Sequence, residues 1–453
     1  MKPRRPTLHF KLAIAALLIM VASPAAAPQS AQPAPPAHKL TLKEAIERGL
    51  AANLRVLAAG TRMDEAEGTS QRRLASLLPR ARAEAVASLQ NRNLRAFGLS
   101  VPGIPATVPP FSTYDFRLYA EQPLFDRQAR LTWRASQQQQ QAAREDYQDV
   151  RDLIIRQVAG LYLNAQAAAA RVEAAQSRIT TAEELLRLAR DRREAGVATG
   201  IDVLRADVQL ANERQRQLEA RTEAQQALLL LARNIGIKPG TPLELAEPLR
   251  FQPIAPVEVE AALAGSLDAR ADYRSLVAQR DSITLQQQSA RARYLPRLTV
   301  RGDYGGIGRS LGEIRGTGSL HGGLSVTLFD RDRKGEEMEL ESRLRRIDFQ
   351  LADMRLAIEQ EVREALLDIE SAAEQVAVAE QGRTLAQQEL EMARERFQAG
   401  VASNIEITSA QDSVARALEN YILAVSRHSD AKIALARALG ATEKIYAQYL
   451  GIP

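Results

Sequence analysis

The chain repeats its own plan once, and this duplication constrains its fold more than any other feature of the sequence. Two Leu-Pro-Arg sequences, at 78–80 and 295–297, lie 217 residues apart, whereas three other pairs of matching segments share one offset of 204 residues. The second repeat is therefore 13 residues shorter between its Pro and the Phe that follows. Because an internal repeat means two copies of one structural unit, we expect two equivalent halves. The pairs at the common offset are 124–127 with 328–331, 189–201 with 393–405, and 231–236 with 435–440.

Each half contains a stretch that predicts one very long helix. Residues 126–195 and 330–399 hold no proline and almost no glycine. Each would be about 100 Å long as a continuous helix, far longer than a common domain helix. Their apolar residues recur every three or four positions, with one extra step of four around Ile154 and around Ile358. Such a step unwinds a left-handed supercoil, so we expect straightened helices side by side in a cylinder. The alternative is an ordinary coiled-coil scaffold.

Each half also contains two segments in which apolar and polar residues alternate strictly, which predicts β-strands with one apolar and one polar face. They are either soluble hairpins on a core or strands of a transmembrane barrel, and their length of about 8–11 residues fits a tilted bilayer crossing. Because eight strands is the usual minimum for a membrane barrel, the second interpretation requires several chains. The links at 97–113 and 305–317 would then be external loops. The four predicted strands are 80–90, 114–121, 297–304 and 319–328.

The remaining segments are bounded by prolines, glycines and a basic, then apolar, N-terminus that is typical of a secretory signal peptide. The predicted order is a signal peptide at 1–27, a Pro- and Ala-rich tether at 28–39, a first repeat at 40–236, a Pro-rich link at 237–257, a second repeat at 258–440 and a C-terminal segment at 441–453. Besides the long helices, the repeats comprise single helices at 41–77 and 258–294, strand hairpins at 80–125 and 297–329, and return helices at 199–236 and 403–440.

The composition argues against catalysis and against nucleic-acid binding. The chain has no cysteine, so thiolate metal sites and a cysteine nucleophile are excluded. Its four histidines are scattered, and no phosphate-binding loop or zinc spacing occurs. Basic and acidic residues are interleaved, and only 4% of residues are aromatic, which is unlike a surface for single-stranded nucleic acid. We therefore expect no enzyme, no cofactor, no metal site and no nucleic-acid partner.

The ordered motifs, present twice, resemble the TolC family of outer-membrane efflux proteins. The resemblance rests on Leu40–Ile46, the two Leu-Pro-Arg junctions, Gln122–Phe125 before the long helix and the duplicated Ala-Gly-Val-Ala turns. It implies a mainly α-helical homotrimer with four strands per chain in one twelve-stranded barrel, surrounded by outer-membrane lipid. The long helices would continue this barrel as an α-helical barrel across the periplasm, with an equatorial belt built from the link and the C-terminal segment.

The resemblance also implies partners at the two Ala-Gly-Val-Ala turns, which would form the periplasmic tip. There a periplasmic adaptor (membrane fusion) protein would dock, fed by an inner-membrane pump of the RND, ABC or MFS type. The residues implied in adaptor contact are those of the turns themselves: Gly196, Val197, Ala198, Gly400, Val401 and Ala402.

A gate is implied just beyond the turns. The TolC tip is narrowed by carboxylates and locked by a Tyr/Arg/Asp network, and Asp202 matches the Asp that follows the first turn. Glu406 matches the first of two ring aspartates after the second turn, and Ser409 stands at the second ring position. Phe397 occupies the position of the gating Tyr and Ala402 that of the gating Arg. The TolC lock therefore cannot be present as a whole, and closure must use other contacts. The alternative for Asp202 and Glu406 is that they are ordinary first-turn carboxylates, favoured by the helix dipole.

Two functions follow as hypotheses. The first is a passive export duct of a tripartite efflux or type I secretion system, located in the outer membrane with a periplasmic extension. The second is a soluble periplasmic coiled-coil scaffold or adaptor. Within the first, drug efflux, protein secretion and metal export stay open, although six Met and four His give no support to a soft-metal route.

Overall fold

The computed structural model describes residues 38–98, 102–255, 257–402 and 404–450. The predicted signal peptide and most of the predicted tether lie outside these residues. The helices are α1 (Leu42–Ala52), α2 (Leu54–Ala75), α3 (Arg127–Glu194), α4 (Gly200–Asn234), α5 (Val259–Ala269), α6 (Ala271–Arg291), α7 (Asp332–Gln398), α8 (Asn404–Ala438) and α9 (Thr442–Leu450). The strands are β1 (His38–Leu40), β2 (Arg80–Asn93), β3 (Thr107–Phe125), β4 (Leu243–Leu245), β5 (Arg297–Gly308) and β6 (Arg315–Ser325).

The two long helices, α3 and α7, are each continuous over 68 and 67 residues. Asp126 begins α3, because its side chain accepts a hydrogen bond from the backbone N–H of Ala129 at 2.8 Å. The apolar residues that form the predicted ladder are buried or half-buried along both helices, from Val150 to Ile179 in α3 and from Leu340 to Ala379 in α7. The same ladder therefore determines which face of each helix packs against its neighbours.

The two shorter predicted helices are each broken in two, which the sequence interpretation missed. Asn53 separates α1 from α2, and Arg270 separates α5 from α6. The two residues are 217 positions apart, so the break repeats in both halves. Asn53 caps α2 by accepting a hydrogen bond from the backbone N–H of Arg55 at 3.0 Å. At the second break the guanidinium of Arg270 is buried and paired with the carboxylates of Asp272 and Glu361.

The sheet of four strands is antiparallel in the order β2-β3-β5-β6. The strands lie where alternation predicts them, but the predicted external loops are too long, because β3 already begins at Thr107 and β5 and β6 extend to Gly308 and Arg315. In the first hairpin the error arose because Pro109 and Pro110, which usually interrupt strands, lie within β3. In the second it arose because glycines carry no side chain and so show no alternation. Backbone packing explains their presence, since a Cβ at Gly305 would clash with the carbonyl oxygen of Phe116. The last predicted strand is displaced toward the N-terminus, because β6 begins at Arg315 and ends at Ser325 rather than at residue 328.

The helices form one layer that continues below the sheet. Next to the sheet the neighbours follow the order α2-α3-α6-α7, and beyond the middle of the long helices they follow the order α4-α3-α8-α7. At the middle, β1 pairs with β4 in parallel, and Tyr162 of α3 is fully buried with its hydroxyl donating to the carbonyl oxygen of Leu40 at 3.0 Å. The link between the repeats is thereby fixed to the centre of α3.

Of the helices in the described part of the chain, none is both long enough and apolar enough to cross a membrane.

Candidate functional site

The two tips at which the long helices turn back have the same backbone geometry. Gly196 and Gly400 adopt the left-handed conformation, with φ of 76° and 78°. The backbone N–H groups of Val197 and Val401 then donate to the carbonyl oxygens of Arg192 and Arg396 at 2.9 and 3.0 Å. Glycine is suited to both turns because other residues rarely adopt this conformation. Both valine side chains project into solvent, 63% and 66% exposed, while Ala198 and Ala402 are half-buried.

The two predicted gate carboxylates have different surroundings, although they are equivalent in the two repeats. Asp202 lies in the first turn of α4 and accepts hydrogen bonds from the backbone N–H and hydroxyl of Thr199 at 3.0 and 2.6 Å. These hydrogen bonds lower the pKa of the Asp202 carboxyl. Glu406 is exposed in the first turn of α8 and pairs with Arg396 at 3.3 Å. Asp202 therefore caps its own helix, whereas Glu406 joins α8 to α7.

Phe397 is buried in a small core rather than exposed on a lumen surface. It is 5% exposed and packs with Leu185 of α3 and with Ile407 of α8. The guanidinium of Arg192 stacks over the Phe397 ring at 4.5 Å and donates a hydrogen bond to the Phe397 carbonyl oxygen. This contact joins the two helical hairpins at the tip. We call it the Arg192–Phe397 contact.

The sequence interpretation missed Arg192, although a signal was present. Residues 189–195 align with 393–399, and the only aromatic substitution between them is Phe397 in the place of Arg193. A change from Arg to Phe in an otherwise matched turn indicates that the second copy has gained a buried contact. The partner could not be derived from the repeat, because Arg192 and Arg396 are equivalent in sequence but Arg192 contacts Phe397 and Arg396 pairs with Glu406.

Ser409, the other predicted gate residue, is exposed in a groove between α4 and α8. The groove is lined by apolar side chains near the tip and by charged side chains farther from it. The structure places Ser409 on the side of α8 that faces α4, and so away from the Arg192–Phe397 contact on the α3 side. The groove lining comprises Ile201, Leu204, Val208, Ile405, Asp412 and Arg416, among others.

The sheet has two chemically distinct faces. Paired residues share a face, so the register assigns Ala83, Leu118, Tyr304 and Gly318 to one row on one side. The neighbouring row, on the opposite side, consists of charged and polar residues. In the rows that are paired across all four strands, one face is apolar and the other carries mainly charged and polar residues, with Val86, Gly305 and Ile307 as exceptions. The polar row is Arg82, Tyr119, Asp303 and Ser319.

Within the described part of the chain, the sheet and the helical layer are each open at two edges, and the two edges come from different repeats. In the sheet, β2 and β6 each have one neighbour among the described strands. In the helical layer, α7 is the edge on one side, and α2 and α4 form the edge on the other. Open strands and open helix faces are surfaces that proteins normally cover.

The α7 edge carries an exposed apolar stripe along most of its length. Its side chains are 57–73% exposed and separated by steps of 7 or 11 residues, which places them on one line of a straight helix. The stripe spans about 80 Å at 1.5 Å per residue. We call it the α7 stripe. Its residues are Met338, Phe349, Leu356, Leu367, Val378, Leu385 and Met392.

The opposite edge is apolar as well. On α4 the exposed apolar residues fall within about a third of the helix circumference, as their sequence spacing shows. On α2, Leu54 and Leu57 are exposed at the start of the helix. Both edges of one chain therefore offer apolar helix surface. The α4 residues are Ile201, Leu204, Val208, Leu218, Leu229 and Leu230.

The chain matches the family model described as "Outer membrane efflux protein" over residues 45–236 and 263–441. Among characterised proteins it is 27% identical over 410 residues to the pyoverdine export outer membrane protein OpmQ of Pseudomonas aeruginosa, which covers 88% of this chain and 85% of that protein. It is also 27% identical to the protein CyaE of Bordetella pertussis, covering 70% of this chain and 68% of CyaE.

Solved structures show the same fold. The outer membrane protein VceC of Vibrio cholerae superposes with a TM-score of 0.76 at 19% identity, covering 88% of this chain and 96% of that one. This level of identity supports the arrangement of helices and strands rather than any particular cargo.

Proposed function

The chain belongs to the outer membrane efflux protein family, and we propose that three copies of it join edge to edge into one export conduit through the outer membrane and the periplasm. The family match confirms the sequence-based prediction of an outer-membrane efflux channel that is not an enzyme. It favours this function over that of a soluble periplasmic scaffold. The number of copies, their contacts and their partners are the proposed part.

The single observation that carries the proposal is the pair of open edges. Because β2 and β6 stand at opposite edges of the sheet, the β6 edge of one copy can pair with the β2 edge of the next. This contact is head to tail, and such contacts generate a ring when the rotation between copies closes. Three copies of four strands give twelve strands, which exceeds the eight needed for a membrane barrel.

The helical edges support the same arrangement. In a head-to-tail ring, the α7 stripe of one copy faces the α2 and α4 edge of its neighbour. The contact therefore buries apolar side chains of both copies away from water. The sheet would then turn its apolar face to lipid and its mainly polar face to the lumen. The helices would continue the lumen toward the tip.

At the tip we place the gate and the partners. The exposed Val197 and Val401 would contact a periplasmic adaptor, which connects the conduit to an inner-membrane pump. In the closed state the Arg192–Phe397 contact would hold the two helical hairpins together, in place of the TolC lock that the sequence lacks. Glu406 paired with Arg396 would add a second restraint within one hairpin.

The direct test is a charge placed in the α7 stripe. Leu356→Glu puts a carboxylate in the proposed contact between copies, whereas Ala357→Glu puts the same group on an exposed neighbour about 100° around the helix. We expect the purified wild type and A357E to have the mass of three chains in detergent and to conduct ions in planar lipid bilayers. L356E should dissociate. A wild type that is monomeric and non-conducting, or an L356E trimer as stable as A357E, would refute the proposal.

A further inference from the structure

The two strand hairpins differ in charge from the rest of the chain. Residues 80–125 and 297–325 contain nine arginines, five carboxylates and no lysine. Beyond the predicted signal peptide, the remainder of the chain has slightly more acidic than basic residues. The positive charge of the mature chain is thus concentrated in the part that we assign to the outer membrane.

The polar face of the sheet holds much of this charge in one depression. The depression lies near the ends of β2 and β5 that adjoin the helices, so it is close to the entrance of the sheet from the helical side. Three arginines and one histidine stand in it beside two carboxylates. We call it the arginine belt. Its charged and titratable residues are Arg80, Arg82, Glu121, Arg301, Asp303 and His321.

Asp303, Asp115 and Glu121 of this face are engaged by neighbouring side chains, while the belt arginines remain largely exposed. Asp303 is bound by both Arg117 and Ser319, and its side chain is 13% exposed. Glu121 pairs with Arg301 at 3.3 Å, yet the Arg301 side chain stays 65% exposed. Elsewhere on the face, Asp115 also pairs with Arg117.

The positive charges of Arg80 and Arg82 in the belt are hardly balanced by nearby carboxylates. Arg82 reaches Glu84 only at 4.0 Å and is 73% exposed, and Arg80 is exposed with no ion pair among the described residues. Arg82 also stacks over the Tyr119 ring at 4.8 Å. The belt therefore holds three exposed guanidinium groups on the polar face, beside Asp303, which is bound within the face, and Glu121, which is paired with Arg301.

We propose that the arginine belt selects anionic solutes, those bearing carboxylate or phosphate groups, for passage through the conduit. The inference rests on the proposed function, because it assigns the polar face to the lumen. Guanidinium groups match carboxylate and phosphate oxygens in geometry, and rings of arginine favour anions in pores. Three copies would bring nine belt arginines to one level of the lumen, where the surrounding low-dielectric wall strengthens their combined field.

The test removes three belt charges and compares the loss with three charges removed elsewhere. The belt variant is R80Q/R82Q/R301Q. The matched control is R233Q/K238Q/R250Q, whose residues are exposed at the end of α4 and in the link, about 50 Å along the helices from the sheet. Calorimetry of the full-length protein in detergent measures tripolyphosphate binding, and bilayer recordings in a salt gradient measure the reversal potential.

We expect the wild type and the control to bind tripolyphosphate and to prefer chloride over potassium. The belt variant should bind tripolyphosphate about tenfold more weakly and lose most of the chloride preference. E121Q, which keeps all three arginines, should shift the reversal potential further toward chloride, and it serves as the readout if the triple variant does not fold.

The possible failures are separable. If the wild type conducts ions but prefers potassium, or if the belt variant behaves like the control, the belt inference is wrong and the conduit stands. If the wild type binds tripolyphosphate through the belt but never conducts, the belt binds anions and the proposed conduit is wrong.

Discussion

Breaking the Arg192–Phe397 contact should make the closed conduit leak. Arg192→Gln removes both the guanidinium that stacks over the ring at 4.5 Å and the charged donor to the Phe397 carbonyl oxygen. Cation–π stacking contributes about 0.5–2 kcal/mol and a charged hydrogen bond about 1.5–3 kcal/mol. Because the Arg192 side chain is only half-buried and water replaces part of both interactions, we expect a net loss of about 2 kcal/mol per copy.

A loss of about 2 kcal/mol changes an equilibrium constant by about thirtyfold. In planar bilayers, R192Q should therefore open at least ten times more often than the wild type, with the same conductance per opening. Arg193→Gln is the matched control, because Arg193 is the adjacent exposed arginine at the same turn and takes no part in the contact.

Arg192 and Phe397 should also be energetically coupled. Phe397→Leu removes the ring that Arg192 stacks on. The sum of the free-energy changes of opening for R192Q and F397L should therefore be clearly larger than the change for the double variant. If R192Q opens no more often than R193Q while both remain trimeric, or if the two effects are fully additive, the contact does not hold the tip closed.

Three further predictions concern stability, each measured by thermal unfolding of the purified protein. Arg270→Ala should destabilise by about 3 kcal/mol, because it removes a buried guanidinium from Asp272 and Glu361 and leaves the half-buried Asp272 only its pair with Arg437 at 3.4 Å. Arg280→Ala, in an exposed pair with Asp348, should cost under about 1 kcal/mol, and equal losses would contradict the role of burial. Gly236→Ala should cost more than Gly196→Ala: both glycines have positive φ, but a Cβ at Gly236 would collide with Ala52 and one at Gly196 meets no atom within 4 Å, so a reversed order would refute the packing argument. Burial lowers the pKa of His428 to about 4, so the unfolded chain binds more protons between about pH 4 and 6.5; stability contributed through His428 should rise with pH across this window, and His428→Gln should flatten the rise.

The sequence interpretation succeeded where the signal is carried by many residues. The apolar ladders from Val150 to Ile179 and from Leu340 to Ala379 extend over about eight and eleven turns, so no single exception alters the assignment of α3 and α7. The duplication gave a second copy of each signal. The paired turns at Gly196 and Gly400 were found for the same reason, because both copies require a left-handed residue.

It failed where one residue decides the structure. The breaks at Asn53 and Arg270 interrupt otherwise helical patterns without a proline or a glycine. The glycines of β5 and β6 suggested a loop because they lack side chains, although backbone pairing places them in strands. The Arg192–Phe397 contact joins residues 205 positions apart, and no local pattern specifies that distance. Sequence periodicity therefore predicts helices and strands, whereas the contacts between them can be read only from the folded structure.

The central claim is that copies of this chain join edge to edge, β6 of one to β2 of the next. The chain has no cysteine, so disulfides between introduced cysteines can be detected without background from native ones. Within one chain Ala83 and Gly318 share a sheet face but lie three strands apart, about 14 Å, which is too far for a disulfide.

The deciding measurement is oxidative cross-linking of A83C combined in turn with G316C, G318C, L320C or G322C, which are four positions on the same face of β6 and cover the possible shifts in register. We expect at least one pair to give covalent dimers and trimers on denaturing gels, with the β2–β6 link identified by mass spectrometry, while each single variant stays uncross-linked. Cross-links between two identical positions, or the absence of covalent dimers and trimers for all four pairs, would contradict the edge-to-edge conduit.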